Sequence, residues 1–193
     1  MTGIIIMAAG SSSRMGKTKQ NLLYRGKTLL QTAVRTALQC NCEAVAVVLG
    51  ANADEITPTL MSMPIHFILN KNWREGLGTS ISCGLSGLSK LYPNMENVIF
   101  LLADQPLTDK SIIENLISLR GEEKIIASSY NNTLGPPVLF NKSFFNDLLE
   151  MKGNEGAKKV IAKYPGSVTV IPFAPGSLDV DTPEDYQRLL NAD

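Results

Sequence analysis

Residues 4–19 read Ile-Ile-Ile-Met-Ala-Ala-Gly-Ser-Ser-Ser-Arg-Met-Gly-Lys-Thr-Lys, an apolar run followed by a loop of small residues. A continuous β-branched run without polar alternation is typical of a strand that is covered on both faces. Similar runs recur along the chain, and helical patterns separate them. The apolar runs are residues 44–49, 65–69 and 98–102, and the helical patterns are residues 28–40, 53–61, 79–91 and 109–119. This alternation predicts a three-layer α/β sandwich with a mostly parallel sheet.

The second half of the chain has a less regular pattern, but it also predicts strands and helices. The strands are expected at residues 124–129, 137–140 and 167–172, and the helices at residues 142–151, at residues 155–164 and from Pro183 onward. No linker rich in Pro, Gly or Ser is long enough to divide the chain. We therefore expect residues 1–193 to form a single domain.

The composition limits the classes of partner. The chain has 193 residues, 44% of them hydrophobic, which argues against disorder. Its 18 Lys and Arg balance 18 Asp and Glu, so the net charge gives no electrostatic footprint for nucleic acid or an anionic membrane. The balance leaves room for local basic pockets. The apolar runs are far shorter than the roughly 20 residues of a membrane helix. The three cysteines contain no CxxC pair, which argues against a disulfide framework or a zinc site. We expect a cytoplasmic protein that binds neither nucleic acid nor membrane.

The loop after the first strand combines small residues with positive charge. The small residues allow close approach of the backbone, whose N–H groups can bind phosphate oxygens; they are Ala8, Ala9, Gly10, Ser11 and Ser12. Arg14, Lys17 and Lys19 supply the charge. Each feature alone fits an ordinary solvated turn, but together they favour a phosphate site.

A P-loop is the alternative for the same segment, because Gly16-Lys17-Thr18 resembles the end of that motif. The motif requires four residues between its glycines and a long helix after the lysine. Here five residues separate Gly10 from Gly16, and Gly26 follows soon after Lys17. This alternative, a small-molecule kinase, is the weaker of the two.

Asp104 follows an apolar strand in the segment Leu-Leu-Ala-Asp-Gln-Pro. Ligands bind at the carboxyl ends of parallel strands, and a carboxylate is a hard oxygen ligand that Mg²⁺ prefers. An Asx turn before Pro106 is the structural alternative. Asp179 and Asp181 flank Val180 on an extended segment. We expect one of them to join Asp104 at a metal site, and the sequence leaves open which one.

Gly78 and Ser80 follow the third strand, where a helix begins. They could bind an anion or a base edge, or simply form the helix entry. We interpret Trp73 as a packing residue, and Tyr130 and Asn131 as a plain turn.

The pattern Ala8-Ala9-Gly10-x-Ser12-x-Arg14-Met15-Gly16-x-x-Lys19 resembles the signature loop of the MobA-like nucleotidyltransferases, and matching segments extend over nearly the whole chain. These are Rossmann-like α/β enzymes that move a nucleoside monophosphate from an NTP onto an acceptor. The resemblance implies that Arg14 and Lys19 contact phosphates and that Asp104 holds the catalytic magnesium. It also implies a nucleotide-binding part over about residues 1–106 and an acceptor-binding part over about residues 107–193.

Two features resemble the molybdenum cofactor cytidylyltransferase branch of this family: Ala8-Ala9 and the triplet Asp104-Gln105-Pro106. The two alanine methyl groups narrow the space for a base, which favours the smaller pyrimidine over a purine. Pocket contacts of this size discriminate between ligands by about 1–3 kcal/mol. The resemblance therefore implies CTP, a molybdopterin acceptor, and a molybdoenzyme or chaperone that receives the product. GTP, another acceptor phosphate, and a nucleotide-binding module without catalysis remain the alternatives.

Overall fold

The first apolar run forms a buried strand, β1 (Thr2–Ala8), in the computed structural model, which describes residues 1–191. The other strands are β2 (Leu23–Tyr24), β3 (Lys27–Thr28), β4 (Ala44–Leu49), β5 (His66–Leu69), β6 (Asn97–Leu102), β7 (Ile125–Tyr130), β8 (Thr133–Asn141) and β9 (Val168–Pro172). The α-helices are α1 (Leu29–Leu38), α2 (Ala53–Ile56), α3 (Leu77–Leu91), α4 (Lys110–Ser118), α5 (Phe145–Leu149), α6 (Lys158–Lys163) and α7 (Pro183–Asn191).

Seven strands form one sheet in the order β5-β4-β1-β6-β8-β7-β9. β1 pairs in parallel with β4 and β6, so that Ile5 lies between Ala46 and Phe100. β8 alone is antiparallel to its neighbours β6 and β7. The prediction of a single-domain, Rossmann-like α/β fold with a mostly parallel sheet is confirmed.

The antiparallel direction of β8 was not expected, and the turn before it supplies the reason. Tyr130 pairs with Thr133, so only Asn131 and Asn132 connect β7 to β8. Both asparagines have positive φ angles, of 46° and 56°. A two-residue loop of this kind forms a tight hairpin, which forces the second strand to run back along the first.

Helices cover both faces of the sheet and create two apolar cores. Because successive strand residues point to opposite faces, Ile5 belongs to the core under α3, α5 and α6, whereas Ile4 and Ile6 belong to the core under α1, α2 and α4. These two cores and the sheet between them are the predicted three layers.

A third, smaller cluster lies outside these layers and includes Met15, Leu22, Leu29, Val180 and Leu189. It joins the loop after β1 and the short β2–β3 hairpin, which the sequence analysis missed, to α7 near the other end of the chain. The cluster therefore fixes the first loop against residues that are distant in sequence.

Two of the predicted helices are interrupted by 3₁₀ turns. The pattern over 53–61 yields α2, which ends at Ile56, and then a 3₁₀ turn over Thr57–Thr59. Pro58 lacks the N–H that an α-helix needs there. The pattern over 142–151 likewise forms a 3₁₀ turn before α5. Within residues 1–191, no helix is both long and apolar enough to cross a bilayer.

Candidate functional site

The loop between β1 and β2 folds back so that its second half returns to the sheet edge. Ser12 and Gly16 adopt positive φ angles of 57° and 70°, and a 3₁₀ turn at Lys19–Asn21 follows. A methyl group added at Gly10 would meet no atom within 4 Å. Space beside this glycine is therefore open to a ligand.

Lys19 lies at the centre of a charged cluster at the carboxyl end of β6. Its Nζ donates to Asp104 Oδ2 at 2.5 Å and to Asp181 Oδ1 at 2.7 Å. Arg14 Nη2 donates to the other oxygen of Asp181 at 2.9 Å. The side chains of Lys19 and Asp104 are only 14% and 18% exposed, whereas Arg14 is 70% exposed. The structure thus brings Arg14, Lys19 and Asp104 to the same side of the sheet.

The pKa values in the cluster follow from these contacts. Burial works to lower the pKa of Lys19, but Asp104 and Asp181 outweigh it and raise that pKa above its usual value. Burial works to raise the pKa of Asp181, but Lys19 and Arg14 hold it below its usual value. The ammonium and the Asp181 carboxylate are therefore both charged at neutral pH.

Asp179 has a different environment from Asp181. Burial, followed by repulsion from Asp104, raises the pKa of Asp179. Its side chain lines a cavity whose wall does not include Lys19, and Asp181 is the residue that shares the lysine with Asp104. The two carboxylates therefore have different surroundings, although regular alternation along an extended segment would turn residues 179 and 181 to the same face.

The carboxylate of Asp104 fits a role as a metal ligand. Its Oδ1 is buried and has no hydrogen-bond partner, so one hard oxygen remains available. No group of three or more His, Cys, Asp or Glu side chains within residues 1–191 forms a metal site on its own. Mg²⁺ commonly uses one or two carboxylates together with substrate phosphates, so Asp104 and Asp181 suit a site that is completed by substrate.

A cavity of about 300 Å³, which we call the loop cavity, lies between the first loop and the start of α3. Its wall includes Ala8, Ala9, Gly10, Lys19, Gln20, Trp73, Gly76, Leu77, Ser80 and Asp104. Of the residues that the sequence pattern assigned to nucleotide, Ala8, Ala9, Gly10, Lys19 and Ser80 line this cavity. Ser11, Ser12 and Arg14 belong to the same loop but not to the cavity wall.

Gly78 has a packing role instead. A Cβ at this position would lie 2.7 Å from the carbonyl oxygen of Lys152, and the Gly78 N–H donates to the carbonyl of Gly153. The residue is glycine because the 152–153 backbone passes close to the start of α3. The structure therefore does not bring Gly78 to the loop cavity.

A second cavity of about 550 Å³, the wide cavity, adjoins the first, and Met7, Leu77 and Leu102 line both. Tyr130 and Asn131, interpreted from sequence as a plain turn, also line it. Asn131 does lie in the turn, but the Tyr130 side chain is half-buried and accepts a hydrogen bond from Gln105 at 3.2 Å.

The segment after Lys17 does not form a P-loop. A 3₁₀ turn and the β2–β3 hairpin follow it, and the first helix begins only at Leu29. The ammonium of Lys17 lies 5.7 Å from the centre of the Tyr186 ring on α7. Lys19, rather than Lys17, therefore supplies the buried charge of the site.

Sequence reasoning missed Gln20, Leu77 and Tyr130 in the cavity walls. Gln20 directly follows Lys19, and a buried glutamine has no sequence pattern that separates it from an exposed one. Leu77 carried a usable signal, because it stands between two glycines at the beginning of a helix.

The chain is similar to known proteins over most of its length. The model of the MobA-like NTP transferase domain matches residues 4–168. The chain is 28% identical to nicotine blue oxidoreductase of Paenarthrobacter nicotinovorans, over 98% of this chain and 96% of that protein. It is 27% identical to molybdenum cofactor cytidylyltransferase of Escherichia coli, over 94% and 92% of the two chains.

Solved structures show the same architecture. The crystal structure of Rv0371c from Mycobacterium tuberculosis superposes with a TM-score of 0.87 at 25% identity, over 98% of this chain and 97% of that one. Rv0371c has also been crystallised in complex with manganese. Because the family model covers most of the chain and the fold matches throughout, the chain belongs to the MobA-like NTP transferase family.

Proposed function

We propose that the protein transfers CMP from CTP to the phosphate of molybdopterin and releases pyrophosphate. One observation carries the proposal: Lys19 is held between Asp104 and Asp181, beside the loop cavity. A mostly buried ammonium between carboxylates, beside a loop of small residues, suits a reaction in which both substrates and products are phosphates. The similarity to the E. coli cytidylyltransferase supports this choice of reaction and acceptor.

The reaction requires the protein to position the two substrates, and it requires no nucleophile from the protein. An oxygen of the acceptor phosphate attacks the α-phosphorus of CTP, and the bond from that phosphorus to the oxygen bridging to the β-phosphate breaks. Pyrophosphate leaves with the electron pair. The attacking phosphate is already ionised, so no general base has to remove a proton. The protein contributes by aligning the two anions and neutralising the charge that develops.

The first loop is proposed to hold the triphosphate. The backbone N–H groups of residues 8–12 would bind phosphate oxygens, as backbone amides of tight small-residue loops do. Arg14 and Lys19 would neutralise the departing pyrophosphate. Ser80 lies across the loop cavity, where its hydroxyl accepts from Asn70 Nδ2 at 2.8 Å and so has a fixed position.

Asp104 and Asp181 are the residues proposed to hold Mg²⁺. The free Oδ1 of Asp104 supports its part in the site. When bound, Mg²⁺ would neutralise phosphate oxygens around the reacting phosphorus. Asp179 lines the wide cavity, so we assign it to the acceptor side. The manganese complex of Rv0371c supports a divalent cation in this fold.

CTP is the proposed donor because Ala8 and Ala9 both line the loop cavity, where their methyl groups occupy space that a purine needs. The wide cavity, with its largely apolar floor of Met7, Phe100 and Leu102, is the proposed acceptor site. We propose that the nucleotide product passes in the cytoplasm to a molybdoenzyme or its chaperone.

The test is a product assay with radiolabelled CTP, Mg²⁺ and molybdopterin. The wild-type protein should release pyrophosphate, and Asp104→Ala should abolish that release. Asp54→Ala removes an exposed carboxylate on α2 and should retain full activity. Full activity of Asp104→Ala would remove this residue from the metal site.

The donor base can be decided separately by thermal shift. A ligand at 100 times its dissociation constant stabilises a protein by about 2.7 kcal/mol, so CTP and GTP in the presence of Mg²⁺ should separate clearly. A larger shift with GTP would contradict the choice of CTP, and an NDP product would indicate a kinase instead.

A further inference from the structure

Gln20 is almost fully buried, at 1% exposure, directly beside Lys19. Its Nε2 donates to the carbonyl oxygens of Ala8 at 3.1 Å and Gly10 at 3.2 Å. Its Oε1 accepts from the hydroxyl of Ser12 at 3.1 Å. One side-chain amide therefore holds the first loop at three points, and both of its N–H groups are used.

Ser12 extends this network to the backbone of Lys19. Its Oγ accepts the N–H of Lys19 at 3.1 Å while its hydroxyl donates to Gln20. Ser12 also has a φ of 57°, a conformation uncommon for a residue with a side chain. The side chains of Ser12 and Gln20 thus connect the two ends of the loop. Ser12, which has the positive φ angle, is part of this connection.

The hydrogen bonds to Gln20 decide which way the loop amides face. In a planar trans peptide the C=O and the following N–H point in opposite directions. Because the carbonyls of Ala8 and Gly10 point at Gln20, the N–H groups of Ala9 and Ser11 point away from it. The donors of the loop are therefore oriented before any ligand arrives.

We propose that Gln20 is a positioning residue that pre-organises the first loop for the phosphate chain of the nucleotide. The inference rests on the proposed function in one respect, namely that the first loop binds the phosphates of the nucleotide. Ordering a flexible loop on binding weakens affinity, and a loop already ordered avoids that loss. A glutamine suits the role because it supplies two donors and one acceptor at this reach; a glutamate would face two carbonyl oxygens.

The experiment compares Gln20→Met, Gln20→Glu and Ser12→Ala with the wild-type protein. Titration calorimetry with Mg-tripolyphosphate, which has no base, measures phosphate affinity directly. Loss of all three hydrogen bonds of the Gln20 amide should weaken binding about 10- to 30-fold in Gln20→Met. The effect should be larger in Gln20→Glu and about fivefold in Ser12→Ala, where the hydrogen bonds to Gln20 and to the Lys19 N–H are lost but Gln20 still holds the carbonyls of Ala8 and Gly10.

Two further readouts separate positioning from a loss of general stability. Hydrogen exchange at the amides of residues 9–12 should accelerate in Gln20→Met without ligand, while exchange in β6 stays slow. The KM for CTP should rise by the same factor as the Kd, with kcat changed less than about threefold. Ile113→Val, a conservative change in the buried face of α4, is the control for lost stability and should leave phosphate affinity unchanged.

Unchanged phosphate affinity in folded Gln20→Met, or unchanged exchange at residues 9–12, would overturn the inference. If Gln20→Met does not fold, the same two measurements on Ser12→Ala, tripolyphosphate affinity and hydrogen exchange at residues 9–12, decide the question. If the wild-type protein binds neither CTP nor tripolyphosphate, the proposed function fails. In that case the exchange rates alone still decide whether Gln20 orders the loop.

Discussion

Replacing Lys19 by Met tests the charged cluster, because it removes the ammonium from between two carboxylates and keeps the side-chain length. Lys19 and Asp104 are mostly buried, at 14% and 18% exposure, and Asp181 is 31% exposed. Removing one partner of a buried pair typically costs about 3–5 kcal/mol. Since Arg14 still contacts Asp181, we expect a loss near the lower limit, about 3 kcal/mol.

The pH dependence of this loss has a definite sign. The pKa of Asp181 is lowered, so its stabilising contribution is present above about pH 4 and disappears as pH falls through the folded value. The pKa of Lys19 is raised, so its contribution is present below about pH 10.5 and is lost as pH rises through the folded value. The difference between wild type and Lys19→Met should be largest between these limits.

Urea denaturation at pH 7 and at pH 3.5 measures the difference. Lys17→Met is the matched control, because it removes the same charge from a lysine that lies over the Tyr186 ring. It should change the free energy of unfolding by no more than about 0.5 kcal/mol. A Lys19→Met loss below about 1 kcal/mol at pH 7, or an equal loss at both pH values, would refute the account of the cluster.

Three other predictions concern glycine positions and a thiol. Gly10→Ala should leave the free energy of unfolding within about 0.5 kcal/mol of wild type but weaken CTP binding in calorimetry, because the added methyl enters open space beside the proposed phosphate site; unchanged CTP affinity would argue against that site. Gly76→Ala should destabilise by more than about 2 kcal/mol in urea denaturation, since φ is +120° and the new Cβ would lie 2.3 Å from the carbonyl oxygen of Gly153; a near-neutral effect would contradict the close approach. Burial raises the pKa of Cys40 to about 12, so at pH 8 iodoacetamide should alkylate it far more slowly in the folded protein than in urea, as followed by mass spectrometry; equal rates would disprove the burial.

Under the proposed function, the loop cavity holds the nucleotide and the wide cavity holds the acceptor. Leu77 and Leu102 line both cavities, so a nucleotide in the first and an acceptor in the second would meet at their shared wall. Asp104 lies in the first cavity and Asp179 in the second. The reacting phosphates would therefore meet near the carboxyl end of β6, where the charged cluster lies.

The amino-acid sequence was sufficient to predict the three layers and the mostly parallel sheet, and it indicated which charged residues would lie at one edge of that sheet. Apolar runs without alternation predict buried strands from local information alone. The carboxyl ends of parallel strands share one edge of the sheet, so the loop after β1 and Asp104 after β6 could be expected to converge. The positions of Arg14, Lys19 and Asp104 agree with that expectation.

Only the tertiary structure decided contacts that depend on chain segments far apart in sequence. Asp181 rather than Asp179 meets Lys19, and no local pattern distinguishes the two residues, because alternation along an extended segment would give residues 179 and 181 the same direction. Gln20 has no sequence pattern, since its role depends on carbonyl directions in a folded loop. Periodicity reports which face of an element is buried, but side-chain partners across 85 or 162 residues of chain follow from packing in three dimensions.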